Sequence, residues 1–165
     1  MLVLGVDPGT ATTGFGLVRQ AKDGSLEAMG HGVILTPADL PMPNRLIQLY
    51  EQLQEIILLH RPDSSAVEKL FFQRNVKTAL SVGQGRGVVL LALAQAGIPI
   101  GEYTPNEIKQ AVTGYGSAGK QQMQEMVRML LDLPEKPKPD DAADALAVAI
   151  CHLHSSRYQQ MIEEQ

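Results

Sequence analysis

A chain of 165 residues, 44% hydrophobic and 19% charged, fits one soluble domain with a substantial core. Its apolar runs are too short to cross a membrane, and a single cysteine, Cys151, excludes an internal disulfide framework and a cysteine-based zinc site. The net charge of −4 excludes a uniformly basic surface, yet residues 61–130 carry 8 basic and 5 acidic side chains, which leaves room for a local phosphate-binding face.

Leu2–Val6 is a near-continuous apolar run of the kind found in strands buried on both faces. It ends on Asp7, and Pro8-Gly9 breaks it. The run lacks a basic n-region and a small-residue cleavage site, so it does not read as a signal peptide; the single cysteine makes a reducing, cytoplasmic setting the expectation. Charged groups are rarely buried alone, so an acid at the tip of a central strand calls for a cation, a cap or a chemical role; an ordinary Asp-Pro-Gly turn is the alternative. Thr12–Arg19 reads as a second strand, with Gly14 and Gly16 keeping its backbone close to a neighbour. Lys22–Ser25 is a hairpin turn and Leu26–Leu35 a third strand, which together predict an antiparallel meander.

Asn44 is expected to cap a helix whose apolar positions Leu46, Leu49, Leu53, Ile56 and Ile57 recur at helical spacing. Ser65–Glu68 is a fourth strand, again ending on an acid, and the helical crossover before it implies a parallel neighbour. A long helix over 75–96 holds Gly83, Gly85 and Gly87. Each glycine costs about 1 kcal/mol against alanine, so close packing against another backbone is expected there. Ile98–Tyr103 is the fifth strand. Thr104-Pro-Asn-Glu107 is a capping box, which gives Glu107 a structural role.

Gly114–Lys120 nearly matches a phosphate-binding loop, but Gln121 stands where Ser or Thr would reach magnesium, and a helix precedes it. Ser117-x-x-Lys120 lacks the companion motifs of acyl-serine enzymes. What survives is a glycine loop carrying a lysine, with Ser117 as a helix cap. An amphipathic helix over 123–131, a proline-stiffened linker over 134–139 and an alanine-rich helix from Asp140 complete one domain over 1–155, followed by a tail at 156–165. His152 and His154 lie two apart, face opposite sides of that helix and read as surface histidines.

The acids carry the chemistry. Asp7 and Glu68 end strands, and Asp141 and Asp144, three apart, share a helix face. Asp140 lies off that face and suits the helix cap. If the two strands are adjacent and the last helix covers their ends, four carboxylates converge and repel one another. Hard divalent cations with oxygen ligands, Mg²⁺ or Mn²⁺, relieve that conflict. Two ions roughly 3.5–4 Å apart would support water attack on a phosphodiester.

Asp7-Pro-Gly, Val67-Glu68 with Phe71, Gly114-x-Gly-Ser-Ala-x-Lys120 and Asp141-Ala-Ala-Asp-Ala-Leu-Ala together resemble the RuvC family of bacterial Holliday-junction resolvases, from Leu2 to about His154. The resemblance implies an α/β, ribonuclease-H-like fold with a five-stranded mixed sheet flanked by helices on both faces. It implies a homodimer that binds four-way junction DNA and nicks two strands symmetrically in homologous recombination and repair, alongside the RuvA–RuvB branch-migration complex. Asp7, Glu68, Asp141 and Asp144 would be the catalytic, metal-binding carboxylates, for two Mg²⁺ or Mn²⁺ ions. Lys109 and Lys120 match lysines near the scissile phosphate, and Phe71 matches an aromatic that stacks on a base. Arg74, Lys77 and Arg86 are candidate phosphate contacts. Asp140 beside Asp141 departs from the family pattern; spacing to Asp144 favours Asp141 as the ligand. The first loop of actin-like and sugar-kinase ATPases also reads Asp-x-Gly-Thr, but those proteins need two such domains and this chain is too short. An RNA-trimming relative and a non-catalytic junction-binding module are the remaining alternatives.

Overall fold

A computed structural model describes residues 1–69 and 76–163; Phe71 and Arg74 lie outside the described residues. In chain order the elements are β1 (Leu2–Asp7), β2 (Thr12–Gln20), β3 (Leu26–Leu35), α1 (Met42–His60), β4 (Ser64–Glu68), α2 (Val76–Gln95), β5 (Ile100–Tyr103), α3 (Pro105–Thr113), α4 (Lys120–Leu130) and α5 (Asp140–Glu163). The strands form one sheet in the order β3-β2-β1-β4-β5. The meander β1-β2-β3 is antiparallel, and β4 runs parallel to both β1 and β5. The parallel neighbour that the crossover required is thus β1, at the centre of the sheet. This is the ribonuclease-H-like architecture, a mixed sheet with helices on both faces.

Strand alternation divides the core in two. Leu4 and Val6 of β1, Leu17 of β2 and Val67 of β4 point to one face, where they pack with Leu49, Leu53 and Ile57 of α1 and Val89 and Leu93 of α2. Val3, Val18 and Ala66 point to the other, where α5 contributes Leu146, Ala149 and Ile150 and α3 and α4 add Ile108, Val112 and Val127. Every second position of β1 after Val3 is therefore turned to α5, and the series Val3, Gly5, Asp7 ends on the acid. The same count on β4 runs Ser64, Ala66, Glu68.

Glycine explains how α5 comes so close. A methyl group on Gly14 would stand 1.9 Å from the carbonyl oxygen of Asp141, and one on Gly5 would stand 2.0 Å from that of Ala145. Gly5 pairs with Gly16, and Gly14 with Asp7, so the glycines form a track across β1 and β2 on which the first half of α5 lies. The close backbone approach expected of Gly14 is met by this helix.

Several local expectations fail for physical reasons. Asn44 does not cap α1: the helix starts at Met42 with Pro43 in its first turn, where a fixed φ and a missing N–H suit the ring. Ser117 is not a cap either, because α4 begins after Gly119 without a side-chain cap. Of the α2 glycines, Gly85 packs on the Gly9 carbonyl, 2.9 Å from its Cβ position, whereas Gly83 and Gly87 have no described atom within 4 Å. The capping box of α3 is present, with Thr104 Oγ1 accepting from the Glu107 N–H and Glu107 accepting from the Thr104 N–H. Helix α5 runs on to Glu163.

Candidate active site

Register delivers the first two acids. Val6 of β1 pairs with Val67 of β4, and one step further along each strand stand Asp7 and Glu68, on the face turned to α5. The glycine track then sets the first turns of α5 against the same strand ends, and Asp141 and Asp144, three apart, present their carboxylates together. Carboxylate oxygens of Asp7, Asp141 and Asp144 all lie within 4.8 Å of one another. Glu68 lies close enough to Asp7 for each carboxyl to shift the other.

The cluster is half-buried and overloaded with negative charge. Burial pushes the Asp7 carboxyl up to about 8 from an ordinary 3.8, and the neighbouring Glu68, Asp144 and Asp141 push in the same direction. Burial likewise raises Glu68 and Asp144; Lys109 partly offsets the rise at Glu68, and Lys120 that at Asp144. Glu68, Asp144, Lys109 and Lys120 line a cleft of about 310 Å³, walled by apolar groups of α3, α4 and α5 that include Ile108, Met123 and Val148. The arrangement is a nest of hard oxygen donors with two cations at its rim. Only oxygens are offered, in a half-buried setting that makes four like charges costly, and this donor set fits a hard divalent cation.

Asp140 goes elsewhere. Its Oδ2 accepts from Lys120 Nζ at 2.5 Å and its Oδ1 from Gln124 Nε2 at 2.9 Å. It does not cap α5 either, since the Ala142 and Ala143 N–H groups donate to the Pro139 carbonyl. Of the two neighbouring acids, Asp141 is the one whose carboxylate oxygen lies with those of Asp7 and Asp144. The signal for the Asp140 contact was present in the sequence: Gln124 falls on the apolar stripe of α4 with Val127, where a buried amide needs a polar partner.

The remaining candidates are spread out. Arg86 on α2 is ion-paired with Glu102 and donates Nε to the Glu68 carbonyl at 3.5 Å, so it braces the end of β4 behind the cluster. Lys77 is exposed in the first turn of α2. His152 and His154 are not surface residues. His152 bonds Ser64 and Tyr103, and His154 Nδ1 lies 3.0 Å from the Ala111 carbonyl, because α5 is covered by strands on the side of His152 and by α3 on the side that Cys151 and His154 share.

With the geometry in place, comparison with known proteins is specific. The family model described as crossover junction endodeoxyribonuclease RuvC matches residues 3–152. A protein of that description from Syntrophomonas wolfei is 56% identical over 163 residues, covering 99% of this chain and 94% of its own. One from Chloroflexus aurantiacus is 60% identical over 156 residues, 94% of each chain. Thermus thermophilus RuvC, solved in complex with Holliday junction substrate, superposes with a TM-score of 0.92 at 36% identity, covering 96% of both chains.

Proposed function

The chain belongs to the RuvC family of crossover junction endodeoxyribonucleases, and from that premise we propose that it resolves four-way DNA junctions by paired symmetric nicks in homologous recombination and repair. The observation that carries this reading is the convergence of Asp7, Asp141 and Asp144 within 4.8 Å, with Glu68 beside Asp7 at the same strand ends. In this reading the four carboxylates hold Mg²⁺ or Mn²⁺, two ions per site. Bound there, the cations supply an activated water and neutralise charge on the leaving oxygen.

The chain's own residues do the rest. Asp7 and Glu68 sit on strands and Asp141 and Asp144 on a helix pinned by glycine, so the ligand set is rigid before substrate arrives. Lys109 and Lys120, at the rim of the cleft, face the scissile phosphate and stabilise the charge that develops on it. Phe71 stacks on a base near the junction centre, and Arg74 and Lys77 hold backbone phosphates, whereas Arg86 is engaged by Glu102 and the Glu68 carbonyl. The working unit is a homodimer, whose two sites cut strands of like polarity. Gly83 and Gly87 support a closely approached α2 face, since no described atom lies within 4 Å of their Cβ positions. The branch-migration complex RuvA–RuvB is the proposed partner on the junction. The setting is cytoplasmic; among the described residues no helix is long and apolar enough to cross a membrane.

A synthetic four-way junction incubated with and without Mg²⁺ or Mn²⁺ tests the reading. Paired, ligatable nicks are expected with metal only, and Asp7→Asn is expected to bind junctions without cutting them. Metal-dependent cleavage that survives Asp7→Asn removes Asp7 from the site. Phe71→Ala is expected to lower cleavage with little change in melting; a sharp fall in melting temperature instead assigns Phe71 to the core.

A further inference from the structure

Lys120 stands at the mouth of the acidic cleft on the first residue of α4, and its side chain is 58% exposed. A lysine there has a flexible four-carbon stem and many rotamers. What limits them is a polar chain from the interior. Gln124, one turn along α4, is only 8% exposed. Its amide donates to Oδ1 of Asp140, and Oδ2 of Asp140 receives Lys120 Nζ. A buried amide without a partner is costly, so Gln124 fixes the carboxylate, and the carboxylate in turn fixes the ammonium. Asp140 directly precedes Asp141, yet it is not one of the three acids whose oxygens converge. An exposed lysine–aspartate pair adds little to stability after screening and loss of side-chain freedom. Its consequence lies in where it puts the charge.

We propose that Asp140 is a positioning residue that holds Lys120 over the cleft, aimed at the substrate phosphate; this rests on the junction-cleavage reading above. An ammonium has three N–H donors, so Lys120 can keep Asp140 on one and offer another to a phosphate oxygen. Lys120 then needs no ordering when the transition state forms, and the gain is in rate rather than in binding.

The test uses the full chain, a synthetic junction and saturating Mg²⁺, with single-turnover cleavage and metal-free junction binding measured side by side. Asp140→Asn keeps the shape and an acceptor for Gln124. It is expected to cut about tenfold more slowly, with junction affinity within about threefold of the parent and an unchanged melting temperature. Gln124→Leu is expected to slow cleavage in the same direction but less. The decisive comparison is in Lys120→Gln, where adding Asp140→Asn is expected to change nothing further. A parental rate in Asp140→Asn overturns the proposal. So does an equal slowing of Lys120→Gln, because Asp140 would then act without the lysine. A parent that leaves junctions uncut sinks the cleavage reading itself, whereas an active parent with an equally active Asp140→Asn sinks only the positioning role.

Discussion

Helix α5 meets the sheet at two polar places, and they are built to opposite rules. At its start, Asp141 and Asp144 face Asp7 and Glu68, and the group carries more negative charge than its surroundings can neutralise. Three turns later, His152 lies over β4 and β5 with both ring nitrogens occupied, Nε2 by Ser64 Oγ and Nδ1 by the Tyr103 hydroxyl, each at 2.8 Å. The Tyr103 ring stands edge-on to it, with centroids 5.8 Å apart. Both places are half-buried, and burial moves both titrations toward the neutral form: Asp7 goes up and His152 goes down. The second cluster closes on itself and is architecture. The first is left open, and a polar cluster with surplus charge in a cleft is one arranged around something that binds.

Neutralising Asp7 is the sharpest way to break this contrast. Asp7→Asn is expected to lower metal-dependent cleavage roughly 10³-fold or more, and to make the metal-free protein more stable. The sign follows from linkage. The folded carboxyl, at about 8, keeps a proton that the unfolded one, at 3.8, has released, so stability declines as pH rises across that window. Asparagine removes the decline. At pH 8 the gain should show as a clear rise in melting temperature over the metal-free parent, and it should shrink as pH falls toward 5. Mg²⁺ should raise the melting temperature of the parent and do so much less for Asp7→Asn. Calorimetry over pH 5–8 checks both, and a metal-free Asp7→Asn that melts below the parent would show the acids to be structural.

The next effect comes from the track that brings the acids together. Gly14→Ala places a methyl 1.9 Å from the Asp141 carbonyl oxygen, with backbone on both sides and no flexible group to give way. A loss of about 2–3 kcal/mol is expected from such overpacking, together with a fall in cleavage as α5 is forced off the strand ends. Urea denaturation measures the first and junction cleavage the second. An alanine that costs nothing would mean α5 is free to shift, and that the 4.8 Å cluster is not held by glycine.

These two variants also mark what could be read from the chain alone. The acids were legible because each ends a patterned segment: Asp7 and Glu68 close apolar strand runs, and Asp141 and Asp144 keep helical spacing. The need for a close neighbour at Gly14 was legible, but the neighbour was not, since which helix covers β2 depends on contacts far apart in sequence. The spacing of His152 and His154 misled for the same reason. Two residues apart they do face different ways, but α5 is covered by strands on one side and by α3 on the other. Asn44 and Ser117 were cap residues by type, displaced because Pro43 and the glycine loop set the helix starts. Spacing to Asp144 singled out Asp141, but what Asp140 does instead was set by partners on another helix, Lys120 and Gln124.

The smallest effect belongs to the closed cluster, and it should have the opposite pH sign. His152→Gln keeps some hydrogen bonding but loses the ring contact with Tyr103, so a cost of about 1 kcal/mol with unchanged cleavage is expected. Burial holds the His152 ring neutral in the fold, below the ordinary 6.5. The unfolded chain therefore binds the proton first, and the contribution of the ring is complete above 6.5 and lost as pH falls below it. Over the same range Asp7 acts the other way, so the two trends partly cancel in the parent. Measured in the Asp7→Asn background, acidification from pH 7 to 5 should destabilise the protein, and adding His152→Gln should flatten that slope. If the slope is unchanged, the ring does not titrate differently in the folded and unfolded states. The second cluster would then be indifferent to its charge, and the contrast between the two ends of α5 would rest on the acids alone.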